Sequence, residues 1–111
     1  MNKREFGKSG ETLAVDFLEQ KGYKILFRNY WCSRGEIDII AQKDGCVHFV
    51  EVKTRTGDYY GRPSENVTWH KIERMRTAAE SYMKAVAGMP GLGKLMQFDL
   101  VEIELRYLEN I

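Results

Sequence analysis

Two carboxylates and a lysine in this sequence have the residue types and the spacing that hydrolysis of a phosphodiester requires. Asp38 stands among isoleucines, and Glu51, 13 residues further along the chain, and Lys53 alternate with valines. Hard oxygen ligands of this kind suit Mg²⁺ or Mn²⁺, and a lysine beside them can polarise a water or hold a phosphate oxygen. The residue types therefore predict a site for metal-assisted phosphodiester hydrolysis, provided that the three side chains meet.

A tight turn between the two segments would bring these side chains together. Residues 44–45 are Asp-Gly, which is typical of a two-residue hairpin loop. Counting outward from that loop places Asp38 opposite Glu51 and Glu36 opposite Lys53. Because side chains alternate along a strand, all four are expected on one face of the sheet.

Two interpretations of this acidic pair are open from the pattern alone. Carboxylates directly opposite each other repel, so the pair indicates a bound divalent cation that offsets the repulsion. Alternatively, the four charged residues form a solvated polar face of an antiparallel sheet, where cross-strand ion pairs contribute little.

The elements that must position these residues follow the order α-β-β-β-α-β. Apolar residues at spacings of three and four predict an amphipathic first helix that Ser9 caps, with Leu13, Ala14, Phe17 and Leu18 on its buried face. We expect the first three strands to form an antiparallel meander, and the last two to be parallel because a helix joins them. The predicted helices are residues 9–21 and about 65 or 68 to 87, and the predicted strands are residues 23–29, 36–42, 46–54 and 94–105.

Composition is typical of a single soluble domain spanning residues 1–111. Hydrophobic residues make up 43% of the 111 residues and charged residues 30%, and the apolar runs are too short to span a membrane. We expect a cytoplasmic protein with reduced cysteines and no membrane partner, because no secretory leader is visible. The net charge is only +1, although residues 53–76 carry a local basic surplus, so charge alone does not identify a partner.

Two segments of the chain resemble the PD-(D/E)xK nuclease motif. They are residues 35–40, Gly-Glu-Ile-Asp-Ile-Ile, and residues 49–55, Phe-Val-Glu-Val-Lys-Thr-Arg. The whole chain resembles the YraN-like family of small bacterial proteins, which is similar to archaeal Holliday-junction resolvases. The resemblance also rests on residues 7–11, on Gly61, Glu65 and Lys71, and on residues 98–99.

The resemblance implies an α/β fold with a restriction-endonuclease-like core, in which a mixed sheet of four to five strands is flanked by helices. It implies that Asp38, Glu51 and Glu11 hold Mg²⁺ or Mn²⁺ and that Lys53 is the catalytic lysine. The sequence departs from the superfamily at Ile37, where proline is usual, and from the family at Gln97, where arginine is usual.

These observations predict a Mg²⁺-dependent endonuclease that acts on structured or branched DNA, as Holliday-junction resolvases do. The alternative is a nucleic-acid-binding module with little or no catalytic activity that works within a larger complex. Cutting a four-way junction takes two active sites, so a homodimer would favour that substrate. The residues expected to contact nucleic acid are Arg55, Arg62, Lys71 and Arg74, with Tyr59 and Tyr60 as stacking aromatics.

Overall fold

Two helices and four strands follow one another in the predicted order in a computed structural model that describes residues 3–56 and 69–111. The helices are α1 (Lys3–Gln20) and α2 (Trp69–Ala85). The strands are β1 (Lys24–Cys32), β2 (Gly35–Lys43), β3 (Cys46–Thr56) and β4 (Leu95–Leu105). The predicted α/β class and the order α-β-β-β-α-β are confirmed.

The four strands form one mixed sheet in the order β1-β2-β3-β4. The first three strands pair antiparallel as a meander, and β4 pairs parallel to β3 along its whole length, from Cys46–Leu95 to Thr56–Leu105. A parallel neighbour requires a long crossover, and α2 lies within that connection. The predicted meander and the parallel final strand are both confirmed.

The helices cover opposite faces of the sheet, which therefore has a hydrophobic core on each side. On one face, Ile40 and Phe49 pack against Met75 and Tyr82 of α2. On the other face, Ala14, Val15 and Leu18 of α1 pack against a second cluster of strand residues, namely Ile39, Ala41 and Val50. Side chains alternate along β3, so odd-numbered residues such as Phe49 face α2 and even-numbered residues such as Val50 face α1. This strand therefore contributes to both cores.

Helix α1 differs from its prediction at its start and in its buried face. It begins at Lys3 rather than at Ser9, because the polar residues before Ser9 continue the helix although they carry no apolar periodicity. Leu13 and Phe17, which were expected in the core, are 57% and 48% exposed. Ala14 and Leu18, the other two residues of the predicted face, are buried as expected; Leu13 and Phe17 lie towards β4, which is the edge strand of the sheet that the described residues form.

Strand β1 is longer than predicted because Asn29 does not terminate it. Asn29 has a φ of 54°, a left-handed conformation that asparagine tolerates. The strand continues beyond Asn29 to Cys32. The pairings Arg28–Ile39 and Tyr30–Ile37 flank this position, so Asn29 lies next to Asp38 in the register. The left-handed residue of β1 therefore lies beside Asp38, the candidate metal ligand on β2.

The remaining sequence predictions concern the ends of α2, the cysteines and the membrane. Helix α2 ends at Ala85 rather than at residue 87, and the expected beginning at residue 65 or 68 lies outside the described residues. Cys32 and Cys46 are free thiols, as expected. Neither of the two described helices is long and apolar enough to cross a membrane.

Candidate functional site

The β2–β3 hairpin has the predicted turn and, as far as Ile39–Val50, the predicted register; the expected pairs Asp38–Glu51 and Glu36–Lys53 are not part of the ladder. Asp44 and Gly45 both have positive φ values, 51° and 76°, as the two central residues of a type I′ turn require. Lys43 pairs with Cys46, and the pairing continues in the same register to Ile39 and Val50. The local turn chemistry thus fixes which side chains of the two strands are neighbours.

The regular backbone pairing of β2 with β3 ends at Ile39 and Val50, one residue before Asp38 and Glu51. At Asp38, a side chain makes the contact between the two strands. Oδ2 of Asp38 accepts a hydrogen bond of 2.7 Å from the backbone N–H of Val52 on β3. Asp38 and Glu51 are therefore not a regular cross-strand pair, although they follow the last paired residues, Ile39 and Val50. The two strands separate at this point, and the carboxylate of Asp38 lies between them.

Glu51 is a buried carboxylate that two lysines neutralise. It is only 6% exposed, and its Oε1 contacts the ammonium of Lys71 from α2. Nζ of Lys53 lies 3.6 Å from the same oxygen. A buried charge requires such partners because its desolvation is otherwise prohibitive. The interpretation of this face as a solvated polar surface is therefore wrong for Glu51.

The surroundings of Asp38 disfavour the ionised form of its carboxyl group. Burial and then the charge of Glu51 raise the pKa of Asp38 from 3.8 to about 7, with a smaller contribution from the charge of Glu11. The hydrogen bond from Val52 and the charge of Lys71 oppose this rise without cancelling it. An acid that holds its proton near neutral pH beside a second carboxylate is typical of a functional site.

The two lysines influence each other as well as Glu51. A hydrogen bond with Lys71, followed by burial, lowers the pKa of Lys53. Burial opposes the charge of Lys71 too, but its contacts with Glu51 and Lys53 outweigh that effect and raise its pKa. Lys53 is therefore the member of the pair that gives up its proton more readily.

Glu11 reaches this site electrostatically from the other face of the sheet. Gly10 lies so close to β3 that a Cβ there would overlap Cγ2 of Thr54, and this close approach sets the position of α1. The carboxylate of Glu11 contributes to the raised pKa of Asp38. Among the described residues, however, no three His, Cys, Asp or Glu side chains are grouped closely enough to hold a metal ion. The role of Glu11 as a third metal ligand stays a prediction.

A shallow cavity of about 240 Å³ adjoins the acidic site on the α2 side. Lys71 belongs to both places, and the cavity is lined by Glu36, His70, Lys71, Arg74 and Met75. A Cβ at Gly35 would overlap the carbonyl oxygen of Arg74, so glycine at this position allows α2 to approach β2. The cavity brings the basic side chains of Lys71 and Arg74 together with the carboxylate of Glu36, and Lys71 links it to Glu51.

The residues expected to bind nucleic acid are only partly brought together. Lys71 and Arg74 are one turn apart on α2, and Arg55 follows Lys53 at the next position on the same face of β3. Tyr59, Tyr60 and Arg62 lie outside the described residues. The contact between Lys71 and Glu51 was not foreseen, because it depends on how α2 packs on the sheet.

A second polar cluster lies on the opposite face, around His48. Nδ1 of His48 lies 2.6 Å from Oδ2 of Asp99 on β4, and Nε2 of Gln97 donates to Oδ1 of Asp99 over 2.7 Å. The ring of Tyr23 meets His48 edge to face at 4.9 Å. His48 is thus a buried, partnered histidine away from Glu51, and Gln97 is occupied in orienting Asp99.

Comparison with known proteins identifies relatives over nearly the whole chain. The profile of "Uncharacterised protein family UPF0102" matches residues 10–103. A UPF0102 protein of Caldicellulosiruptor saccharolyticus is 44% identical over 111 residues, which is 100% of this chain and 92% of that protein. A UPF0102 protein of Clostridium botulinum is 39% identical over 109 residues, or 96% of this chain and 85% of that protein. One from Syntrophomonas wolfei is 44% identical over 100 residues, or 90% and 84%.

Proposed function

The chain belongs to the uncharacterised protein family UPF0102, the YraN-like family that its sequence resembles. We propose that it is a metal-dependent endonuclease acting on structured or branched DNA. The observation that carries the proposal is the buried acidic pair, Asp38 and Glu51, at the point where β2 and β3 separate, with Lys53 beside it. A fold alone does not define an activity, so the argument rests on this site.

Asp38 and Glu51 are the residues that would hold the metal ion. Their oxygens are hard ligands of the kind that Mg²⁺ and Mn²⁺ prefer. The raised pKa of Asp38 supports this assignment, because a carboxylate whose charge is disfavoured by burial and then by Glu51 gains from a neighbouring cation. Such an ion would lower the pKa of a water and neutralise charge on the scissile phosphate.

We assign to Lys53 the role of acting on the reacting groups. Its ammonium is half-buried beside Glu51, and its pKa is lowered by Lys71 and by burial. In this position it can donate a hydrogen bond to a phosphate oxygen or orient the attacking water. Lys71 keeps the charge of Glu51 balanced from the other side.

The basic side chains near the acids are suited to contact the phosphate backbone of a nucleic acid. Arg74 lines the cavity that Lys71 shares with the acidic site, and Arg55 continues the same face of β3. Contacts of this kind position the backbone without reading its sequence. They support recognition by shape, which is what an enzyme for branched DNA needs.

One observation favours the alternative of a binding module with little or no activity. Glu51 already has two ammonium partners, and the described residues contain no group of three metal-ligating side chains. If Lys71 and Lys53 remain on Glu51, the site would bind phosphate without hydrolysing it. Both functions predict affinity for nucleic acid, so a measurement of cleavage is needed to distinguish them.

The deciding experiment is a cleavage assay on a panel of linear, flapped and four-way DNA substrates in Mn²⁺ and in EDTA. We expect Mn²⁺-dependent cutting by the wild-type protein, with a preference for the branched substrates. Asp38→Asn keeps the size of the side chain and an acceptor for Val52, so it serves as the inactive variant. Asp16→Asn makes the same chemical change on the exposed side of α1 and should cut like the wild type.

The outcomes distinguish the candidate functions. Cleavage that Asp38→Asn abolishes and Asp16→Asn preserves supports the endonuclease. Binding of branched DNA without any cleavage in Mn²⁺ or Mg²⁺ supports the binding module. Cleavage that persists in Asp38→Asn or in EDTA contradicts the proposed site and indicates a contaminating nuclease.

A further inference from the structure

Strand β4 has an open edge that is long and carries exposed apolar side chains. Within residues 3–56 and 69–111, β4 pairs only with β3, so among these residues the N–H and C=O groups on its other side have no strand partner. Leu105 at its end is 59% exposed, and Tyr107 and Leu108 just beyond it are exposed too. An edge strand of this kind is a template for pairing with another chain.

An apolar groove runs along this edge on the α1 face of the sheet. Leu13 and Phe17 of α1 form one wall, and Val101 and Ile103 of β4 form the other. The groove has a volume of about 330 Å³. These are the α1 residues that the monomer leaves half-exposed, and Val101 and Ile103 are only partly buried. A contiguous apolar patch at a sheet edge marks an interaction surface.

The sequence at the end of this edge is complementary to itself. Residues 103–107 are Ile-Glu-Leu-Arg-Tyr, with an acid and a base placed symmetrically about Leu105. Glu104 and Arg106 are both exposed, and within one chain their nearest charged atoms are 3.9 Å apart. Antiparallel pairing of this segment with a copy of itself would give every charge an opposite partner.

We propose that the end of β4 and the two residues after it, 103–107, pair antiparallel with the same segment of a second copy, centred on Leu105. Leu105 then lies opposite Leu105, Glu104 lies opposite Arg106 of the second copy, and Ile103 lies opposite Tyr107. The two four-stranded sheets become one continuous eight-stranded sheet with a two-fold axis. Such a symmetric interface is the commonest form of homodimer.

The neighbouring registers are unfavourable, which is why the sequence selects this one. Centring the pair on Glu104 opposes two glutamates, and centring it on Arg106 opposes two arginines, and like charges directly opposite destabilise a sheet. In the register centred on Leu105, the odd-numbered residues continue the apolar groove of the α1 face. The charged pairs lie together on the other face.

The dimer is independent of the proposed nuclease activity, since none of these residues belongs to the acidic site. Its ladder is short, so we expect a reversible association at the small end of specific interfaces, below ~1,200 Å² in total. Its mass should therefore depend on protein concentration.

A charge swap tests the pairing and its register. Sedimentation velocity across a wide range of concentration should show a monomer–dimer equilibrium for the wild type. Glu104→Arg and Arg106→Glu each oppose like charges twice per dimer and should weaken association about tenfold or more. The double variant E104R/R106E restores two opposite-charge pairs and should return to wild-type association. A wild type that stays monomeric, or a double variant that associates no better than the single ones, overturns the proposal.

Cross-linking provides a second test that does not depend on affinity. In a background with Cys32→Ala and Cys46→Ala, Leu105→Cys places two thiols opposite each other, within the ~4.4–6.8 Å between Cα atoms that a disulfide spans. It should form a disulfide-linked dimer under mild oxidation. Glu104→Cys is the matched control, because it faces Arg106 of the second copy. Equal cross-linking of both variants, or none by Leu105→Cys, contradicts the register.

Discussion

Replacing Asp38 with asparagine should stabilise the metal-free protein at neutral and alkaline pH. In the folded state Asp38 holds its proton up to a pH of about 7, whereas the unfolded chain releases it near 3.8. The folded state therefore binds more protons than the unfolded state between these two values, so the free energy of unfolding falls as the pH rises through this window. Asparagine does not titrate, and it retains an acceptor for the N–H of Val52.

The size of the effect follows from the two pKa values. One pKa unit is about 1.4 kcal/mol, so the rise to about 7 corresponds to at most about 4 kcal/mol above that pH. Relaxation and screening at this half-buried site reduce the gain to roughly 1–3 kcal/mol. A gain of this size raises the melting temperature by roughly 4 °C for each kcal/mol.

Urea denaturation in EDTA at several pH values between 4 and 8 measures the difference directly. We expect the wild type and Asp38→Asn to be nearly equal at pH 4 and to diverge up to about pH 7, with the variant more stable. Asp16→Asn, on the exposed side of α1, should show no such divergence. A gap that does not change with pH, or a variant less stable than the wild type at pH 8, would refute the described environment of Asp38.

Three further predictions concern the lysines and the contact between α2 and β2. Lys53→Ala should lose DNA cleavage far more than DNA binding, because the lysine acts at the reacting phosphate; single-turnover cleavage and fluorescence anisotropy measure the two effects. Lys71→Ala should lower the slope of log affinity against log salt concentration by ~0.9 if this lysine moves from Glu51 to a phosphate, and an unchanged slope contradicts such a contact. Gly35→Ala should destabilise the fold by about 1–3 kcal/mol, because the added methyl group meets the backbone of Arg74; an unchanged urea midpoint would contradict that close approach.

The hairpin that carries the acids could be predicted from sequence because its geometry is local. An Asp-Gly turn specifies its own backbone angles, and the register through Ile39–Val50 then follows by counting. The end of that ladder could not be predicted; it coincides with the left-handed Asn29 on β1 and with the hydrogen bond that the backbone N–H of Val52 donates to Asp38. Local spacing carries no information about either contact.

Contacts between distant elements account for the rest of what the pattern missed. Lys71 was expected to bind nucleic acid, and its partnership with Glu51 appears only once α2 packs on the sheet. Leu13 and Phe17 have core spacing, but they lie at the open edge of the last strand. Helical periodicity shows that a face is apolar without showing whether the same chain or a second copy covers it.

Titration of Mn²⁺ into the metal-free protein by isothermal calorimetry tests the central claim, that Asp38 and Glu51 together hold a divalent ion. We predict saturable binding to the wild type, with release of protons near pH 7 because the ion displaces the proton of Asp38. Asp38→Asn and Glu51→Gln should each abolish that binding, while Asp16→Asn should bind like the wild type. No saturable binding to the wild type, even with DNA present, or undiminished binding to both site variants, would contradict the claim.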